Sequence, residues 1–480
     1  MNRLKLFTLT TLLVAMSVLP CGIGHAAVFP VVGPNGYYTP DYFGATPNWA
    51  WSPLLTKFVD PLPGLWDPKT QGNPLAGGDT PLKAIPLAVP DKLTYPGSDY
   101  YEIELQEFPE VMHSEMPPTT LRGYVQVNNG TNVAGDTNNV VPAEIRYLGP
   151  IIVATKDRPV RIKFTNALPA GVGGKLFVPV DTTIMGSGPG PGATRNMTDD
   201  RICAGGTPNV YGATPDVCFT ENRANLHLHG GRTPWISDGT PHQWIIPADD
   251  TNPLKKGASV ENVPDMWFTA AGVHITDPAC VGKTTCAVAG ATNDPGNGSQ
   301  TYYYTNQQSA RLLFYHDHAW GITRLNVYAG MAAGYLIRDQ KELDLIAAQT
   351  IPGLTPGDEI PLVIQDKTFV DAGDLGAGIS LPANYVMTTD PTWAWGSAPG
   401  KPVTPTPTSG DLWWPHVYMP AQNPYAGPSG NAFNPMGRWV YGPWFWPPTT
   451  NIEYPPIANP YSDQPGQPPE IPATPNPSWG

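Results

Sequence analysis

Two stretches decide how this chain folds: Leu226-His227-Leu228-His229-Gly230 and Tyr315-His316-Asp317-His318-Ala319. Each carries the pattern His-x-His, and together they hold four of the nine histidines in the chain. Side chains at positions i and i+2 of a β-strand point to the same face, so each stretch presents two imidazoles side by side. Imidazole is a ligand for zinc, copper, iron or nickel. The two segments therefore predict a metal site built on β-strands.

Strand-like patterns recur on both sides of these segments. In residues 101–108, Ile103 and Leu105 alternate with glutamates, which is typical of a half-buried strand. A short helix followed by a strand is predicted at 322–337. Further strands are predicted at 121–127, 145–153, 160–166, 224–229 and 311–318, the second and third of these joined by a turn at 156–159. Strand follows strand without a long helical period, which predicts an all-β sandwich or barrel.

Composition narrows the class of protein. Only 14% of the 480 residues are charged, while the chain contains 50 glycines and 59 prolines. An aromatic content of 10% argues against disorder throughout, so we expect a β-rich folded part with long irregular loops. The formal net charge of -13 makes the chain a poor binder of nucleic acid, and no nucleic-acid partner is expected.

Residues 1–26 are predicted to be a secretory signal peptide. Arg3 and Lys5 form a basic start, an apolar run follows, and the small residues Gly24 and Ala26 suit cleavage. The apolar run is short for a membrane span, and no transmembrane anchor is expected. These features predict a secreted or periplasmic protein.

Four cysteines follow the signal segment, an even number that suits an oxidising compartment. Cys203 with Cys218 and Cys280 with Cys286 would each close a short loop, although the sequence alone also permits the two other pairings. These pairs fall in two predicted surface insertions, at 182–221 and 276–299.

The remaining organisation follows from changes in composition. A new strand is predicted to begin at Glu359, after a turn-rich stretch that marks a domain boundary. Proline cannot donate to a β-ladder, so the proline-rich end of the chain is not expected to form a further folded domain. The predicted segments are a signal peptide at 1–26, an irregular N-terminal extension at 27–89, a first domain with insertions at 90–342, the beginning of a second domain at 343–390, and a Pro/Trp-rich connector at 391–480.

Longer stretches frame both histidine pairs: Asn225-Leu-His-Leu-His-Gly-Gly231 leading to Ser237-Asp-Gly-Thr-Pro241, and Tyr315-His-Asp-His-Ala319 leading to Thr323-Arg-Leu-Asn-Val-Tyr-Ala-Gly330. These stretches resemble the first domain of bacterial multicopper oxidases, in particular the spore-coat laccase and bilirubin oxidase group. The resemblance is densest over residues 222–342. It implies a cupredoxin-like Greek-key β-sandwich and, at 343–390, the start of a second cupredoxin domain.

The resemblance also implies a ligand set. The two histidine pairs match four of the eight histidines that hold a trinuclear copper cluster. By position, His227 matches the type 2 copper ligand, and the ligands of the type 3 pair are matched by His229, His316 and His318. The implied reaction couples oxidation of a small phenolic, tetrapyrrole or metal-ion substrate to reduction of dioxygen to water.

Asp238 matches an acidic position that, in the family, lies near the copper cluster and assists proton delivery to bound dioxygen. On the residues alone, an aspartate before Gly239 is equally typical of a turn. Both roles remain open at this level.

The chain departs from the family pattern beyond His318. In the family, a C-terminal domain supplies the other histidines of the cluster and the Cys, His and Met ligands of the type 1 copper. Here only His416 follows His318, and no cysteine follows Cys286. We therefore expect a C-terminal multicopper oxidase portion to supply the remaining ligands, and we expect this polypeptide to be inactive as an oxidase by itself.

Two other functions fit the same residues. The chain could be a complete secreted module that binds copper or acts as a scaffold without catalysis. Three histidines with an open water position would also suit a zinc-dependent hydrolase. The zinc interpretation is disfavoured because Asp238 and Asp317 are the only obvious candidate bases, and because the flanking residues match the copper family.

Overall fold

A computed structural model of the protein describes residues 55–71, 84–132, 135–178, 186, 219–352, 360, 362–369 and 408–413. The predicted signal peptide, the pair Cys203 and Cys218, and most of the Pro/Trp-rich segment lie outside these residues. Among the described residues, no helix has the length and apolar character needed to cross a bilayer.

The described part of the chain consists mainly of β-strands. The strands are β1 (Gly64–Trp66), β2 (Ala84–Pro86), β3 (Asp99–Glu110), β4 (Thr119–Gln126), β5 (Gly130–Thr131), β6 (Asn138–Val140), β7 (Ile152–Thr155), β8 (Val160–Asn166), β9 (His227–His229), β10 (Ser299–Tyr304), β11 (Arg311–His316), β12 (Ala332–Arg338), β13 (Thr368–Phe369) and β14 (Leu412–Trp413). The helices are α1 (Pro68–Gln71), α2 (Thr323–Tyr328) and α3 (Gln340–Ala347), with 3-10 turns at Gly171–Gly174 and Trp235–Ser237.

Two four-stranded sheets form the body of the protein. The first has the order β10-β8-β3-β4 and the second the order β7-β12-β11-β9. The pairs β3/β8 and β7/β12 are parallel and the other neighbours are antiparallel. The chain changes sheet between β4 and β7, between β7 and β8, between β8 and β9, between β9 and β10, and between β10 and β11. The predicted all-β, cupredoxin-like sandwich is confirmed.

The apolar faces of the two sheets share one core. Period-2 alternation turns one set of side chains of each strand inward, and this set is rich in tyrosine and β-branched residues. The core includes Tyr101, Ile103, Leu105, Phe164 and Tyr302 from the first sheet, and Leu228, Tyr315, Tyr335 and Ile337 from the second. Burial of this many large apolar side chains is the main stabilising contribution to such a fold.

The prediction for residues 145–166 was partly wrong. The strand is only Ile152–Thr155, because Gly149 and Pro150 interrupt the pattern and Pro150 has no amide hydrogen to donate to a ladder. The following turn does connect to the strand Val160–Asn166, but the two strands lie in different sheets rather than in a hairpin.

Two other stretches also differ from expectation. The strand predicted from Glu359 is not formed by residues 362–367, and pairing begins only at Thr368–Phe369, which lies antiparallel to Leu412–Trp413. In contrast, Ser299–Tyr304 was missed, because it follows directly on the predicted insertion and its first residues are polar. The helix and strand predicted over 322–337 are present as α2 and β12.

The insertion at 276–299 is held by a disulfide within it and by a bridge to Phe268. Cys280 and Cys286 are joined by a disulfide, one of the pairings that the sequence permits. Isolated bridges connect Phe268 to both His274 and Thr292.

His274 lies at the base of this insertion in an aromatic cluster. Its ring packs against Tyr95, Tyr100 and Phe268, and its Nε2 is hydrogen-bonded to the Tyr95 hydroxyl. Burial lowers the pKa of His274 to about 4, and the nearby Lys163 ammonium acts in the same direction. The folded protein therefore holds this imidazole neutral.

This pKa predicts a specific loss of stability in acid. An unfolded histidine titrates near 6.5, so between pH 6.5 and 4 the unfolded chain binds a proton that the folded chain excludes. The contribution of neutral His274 is complete above about pH 6.5 and is lost as the pH falls towards 4. His274→Gln should reduce the fall in unfolding free energy over this range by about 1 to 2 kcal/mol, allowing for the partial exposure of the ring. Urea titrations at several pH values measure the pH dependence of the unfolding free energy. The variant of the exposed His242, His242→Gln, is the control. An unchanged pH dependence in His274→Gln would contradict the prediction.

Candidate metal centre

The two histidine segments lie side by side because β9 pairs with β11. The pairing is antiparallel, with His227 opposite His316 and His229 opposite Phe314. Leu228 and Tyr315 are also opposite each other and are buried in the sandwich core. Since alternate residues point to opposite faces, three imidazoles share the outer face of the second sheet.

The ring nitrogens of these three histidines converge. One ligand atom from each of His227, His229 and His316 lies within 4.8 Å of the others. The closest pair is His229 Nδ1 and His316 Nε2, separated by 3.1 Å. Two nitrogens bound to one ion at about 2.0 to 2.1 Å, at a roughly tetrahedral or square angle, are themselves about 3 Å apart. The spacing of this pair therefore fits two ligands of a single ion.

Two of the rings are oriented by backbone carbonyl groups. His227 Nδ1 lies 2.5 Å from the Asp238 carbonyl oxygen, and His316 Nδ1 lies 2.6 Å from that of Asp317. A carbonyl oxygen can only accept, so each Nδ1 carries the proton and each Nε2 keeps its lone pair for a metal.

The surroundings also favour the neutral form of these rings. Burial lowers the pKa of His227, although the hydrogen bond to Asp238 opposes the shift. Burial lowers the pKa of His316 to about 4, again against an opposing hydrogen bond to Asp317. At neutral pH both imidazoles are uncharged, which is the form that binds metal ions.

His318 lies just beyond the end of β11. Its ring centroid is 4.9 Å from that of His227 and 5.8 Å from that of His316. Its Nδ1 is buried and has no hydrogen-bond partner among the described residues. His318 stands outside the tight group of three but offers an unused buried nitrogen beside it.

Asp238 contacts the centre through its main chain. Its carbonyl oxygen accepts from His227, while its carboxylate Oδ1 accepts from the Thr233 hydroxyl at 2.7 Å. The residue ends the 3-10 turn Trp235–Ser237, and the next residue, Gly239, has a φ of +68°. The structure thus gives Asp238 a turn position and also brings it against a candidate ligand.

Phe314 was missed as a site residue. Its ring stacks on His229 at 4.6 Å and 15°, and on His316 at 5.0 Å and 24°. The signal was present in the sequence, because Phe314 precedes His316 by two residues on a strand and so shares its face. Asn225 and Asp317 adjoin the histidines, but neither was predicted to position them, and Asp317 was considered only as a candidate base. Both are fully buried.

Comparison with known proteins agrees with the resemblance noted around the histidines. A laccase from Bacillus stratosphericus is 30% identical over 325 residues, which cover 67% of this chain and 40% of that protein. A laccase from Bacillus subtilis (strain 168) is 28% identical over 279 residues, covering 58% and 35%. A crystal structure of a multi-copper oxidase from Pediococcus acidilactici is matched with 14% identity and a TM-score of 0.29, covering 64% of this chain and 36% of that one. No protein-family model matches the chain.

The predicted resemblance is confirmed, since the chain has laccase and multicopper oxidase homologues over about two thirds of its length. The chain spans 40% and 35% of the length of the two Bacillus laccases.

The close packing of Gly239 against the strand that carries His227 predicts that a larger side chain at this position destabilises the protein. A Cβ added at Gly239 would lie 2.2 Å from the Leu226 carbonyl oxygen and 2.8 Å from the His227 Cα, on the strand that carries the ligand. Gly282 has a similar φ of +66°, but a Cβ there meets nothing within 4 Å. Gly239→Ala should therefore cost about 1 to 3 kcal/mol more than Gly282→Ala in urea unfolding. Equal costs for the two variants would show that this loop is not tightly packed on the strand.

Proposed function

We propose that this chain is the copper-binding N-terminal part of a secreted or periplasmic multicopper oxidase. The whole enzyme would couple oxidation of a phenolic, tetrapyrrole or metal-ion substrate to reduction of dioxygen to water. Support comes chiefly from one observation: three imidazoles converge on one sheet face, with two of their nitrogens 3.1 Å apart. An all-imidazole donor set suits both copper and zinc. The homology to laccases favours copper.

Each histidine has a distinct place in the proposal. His227 would hold the type 2 copper through Nε2, since its Nδ1 is used by the Asp238 carbonyl. The type 3 pair would be held on this side by His229, His316 and His318. Bound copper ions would supply the transfer of electrons from the reducing substrate to dioxygen.

Asp238 would hold and release protons near the centre. Its carboxylate is partly exposed, and the hydroxyl of Thr233 donates to one oxygen, which leaves the other oxygen as a further acceptor. Reduction of one dioxygen molecule to two waters takes four electrons and four protons. A carboxylate held beside the ligands by its own main chain is well placed for this role.

The remaining ligands would come from a C-terminal multicopper oxidase portion that docks on the outer face of the second sheet. Two apolar side chains of β11 share the face of the imidazoles and are exposed, Leu312 at 58% and Phe314 at 41%. Exposed apolar groups of this size around polar groups are typical of an interaction surface. This portion would also carry the type 1 copper, for which Cys and His ligands are needed.

Copper binding by the full chain tests the proposal directly. The purified protein should bind Cu²⁺, and His316→Ala should weaken binding by more than about tenfold because it removes a ligand that the fold holds in place. His242→Ala is the matched control, since His242 is an exposed histidine outside both segments. Competition titration with a chelator of known affinity measures both variants. Stoichiometric zinc retained in preference to copper would support a zinc hydrolase instead.

Oxidase activity provides the second test. The 480-residue polypeptide should show no absorbance from a thiolate-copper bond and no oxidation of a phenolic dye. Activity should appear only when a polypeptide carrying the family's C-terminal ligands is added, and His227→Ala should then abolish it. Dye oxidation by this chain alone, loaded with copper, would refute the division of ligands between two portions.

A further inference from the structure

We propose that Asn225 and Asp317 are positioning residues, which set the geometry of the metal centre by locking the two histidine segments to each other. Neither residue is assigned as a ligand. The inference rests on the proposed function, because it concerns the same four histidines. It is carried by a set of buried hydrogen bonds that join the segments at their backbones.

The two histidine segments are hydrogen-bonded to each other in both directions. The backbone N–H of Asn225 donates to Asp317 Oδ1 at 3.0 Å, and the backbone N–H of His318 donates to Asn225 Oδ1 at 2.6 Å. Each segment thus uses a side chain to bind the backbone of the other. The two bonds lie next to the ladder between β9 and β11, at the point where that ladder has ended.

Asn225 also holds the loop that orients His227. Its Nδ2 donates to the carbonyl oxygens of Gly239 at 3.1 Å and Thr240 at 2.8 Å. These carbonyls directly follow Asp238, whose own carbonyl accepts from His227 Nδ1. One side chain therefore fixes the backbone that carries His318 and the loop that fixes the tautomer of His227.

Asp317 extends this set of hydrogen bonds to α2, the helix that follows it. Its Oδ2 accepts from the Ala319 backbone at 3.1 Å and from Asn326 Nδ2 at 2.9 Å, and the same Asn326 nitrogen donates to the Arg223 carbonyl oxygen at 3.1 Å. Asn225, Asp317 and Asn326 are each 0% exposed, so water cannot replace a lost bond. Loss of one member leaves buried partners unpaired and frees the segments to shift.

Mutation of a residue that orients a metal ligand without binding the metal typically lowers metal affinity by about 10- to 100-fold. We therefore expect Asn225→Ala to weaken Cu²⁺ binding by about tenfold or more. The variant should also alter the hyperfine splitting in the EPR spectrum of bound Cu²⁺, because the angles between the imidazoles change.

Asn166 provides a matched control. It is also buried, its Nδ2 donates to two carbonyl oxygens, those of Asn222 and Ile245, and its Oδ1 accepts from the backbone of Leu168. None of these partners belongs to a histidine segment. Asn166→Ala should therefore lower the Tm of the metal-free protein about as much as Asn225→Ala does, while leaving Cu²⁺ affinity and the EPR spectrum unchanged.

The experiment uses the full chain, with chelator competition, EPR and thermal unfolding on the wild type and both variants. Wild-type affinity and spectrum in Asn225→Ala would overturn the positioning role, and so would equal losses in Asn166→Ala. If Asn225→Ala does not fold, Asp317→Asn tests the same role. This variant keeps the side-chain volume but turns an amide nitrogen towards the N–H of Ala319 or Asn225. It should also weaken Cu²⁺ binding. A wild-type chain that binds no Cu²⁺ would instead overturn the proposed function, and the positioning role with it.

Discussion

The register of β9 against β11 is the constraint on which the centre depends. His227 faces the solvent side because Leu228, between the two histidines, is buried in the core opposite Tyr315. A slip of one residue would turn both imidazoles into the sandwich and expose the leucine. This is unfavourable because the leucine would lose its burial and two polar rings would be buried instead. Core hydroxyl groups assist, since Leu226 N–H donates to the Tyr302 hydroxyl and the Tyr304 hydroxyl donates to the Leu226 carbonyl. The convergence of the imidazoles is therefore a consequence of how the hydrophobic core is packed.

Behind the histidines lies a layer of buried polar groups, which need hydrogen-bond partners to offset their desolvation. Burial raises the pKa of Asp317 to about 6, and this shift would be larger without its hydrogen bonds to Asn326, Asn225 and Ala319 and the charge of Arg223. The Arg223 guanidinium is itself buried, with cation–π contacts to the Phe219 and Trp244 rings, and its nitrogens donate to backbone carbonyls. Such an arrangement is costly to break, because each group left without its partner would remain desolvated. These bonds hold the backbone around the candidate ligands without any contribution from a metal ion.

Sequence reasoning reached part of this arrangement. The same-face rule correctly predicted that His227 and His229 lie together, and period-2 alternation predicted an all-β fold, because both depend only on local geometry. Sequence could not show that β9 pairs with β11, since their contact joins residues 87 apart along the chain. Nor could it separate His318 from the other three histidines, because the strand ends at His316 and the same-face rule no longer applies. Asn225 and Asp317 stood beside the histidines in the sequence, but their reciprocal bonds exist only once the strands are paired.

The direction in which the centre opens follows from the same geometry. The core and the buried polar layer close the centre on the inner side, and the carbonyls of Asp238 and Asp317 occupy the Nδ1 atoms of two rings. On the outer face His229 is exposed, and Phe314 flanks two of the rings. An ion held there would have these imidazoles on one side, and any further ligands would approach from outside this sheet. The fold thus orders one side of the candidate centre, and the outer face of the second sheet is the side from which a further ligand would reach it.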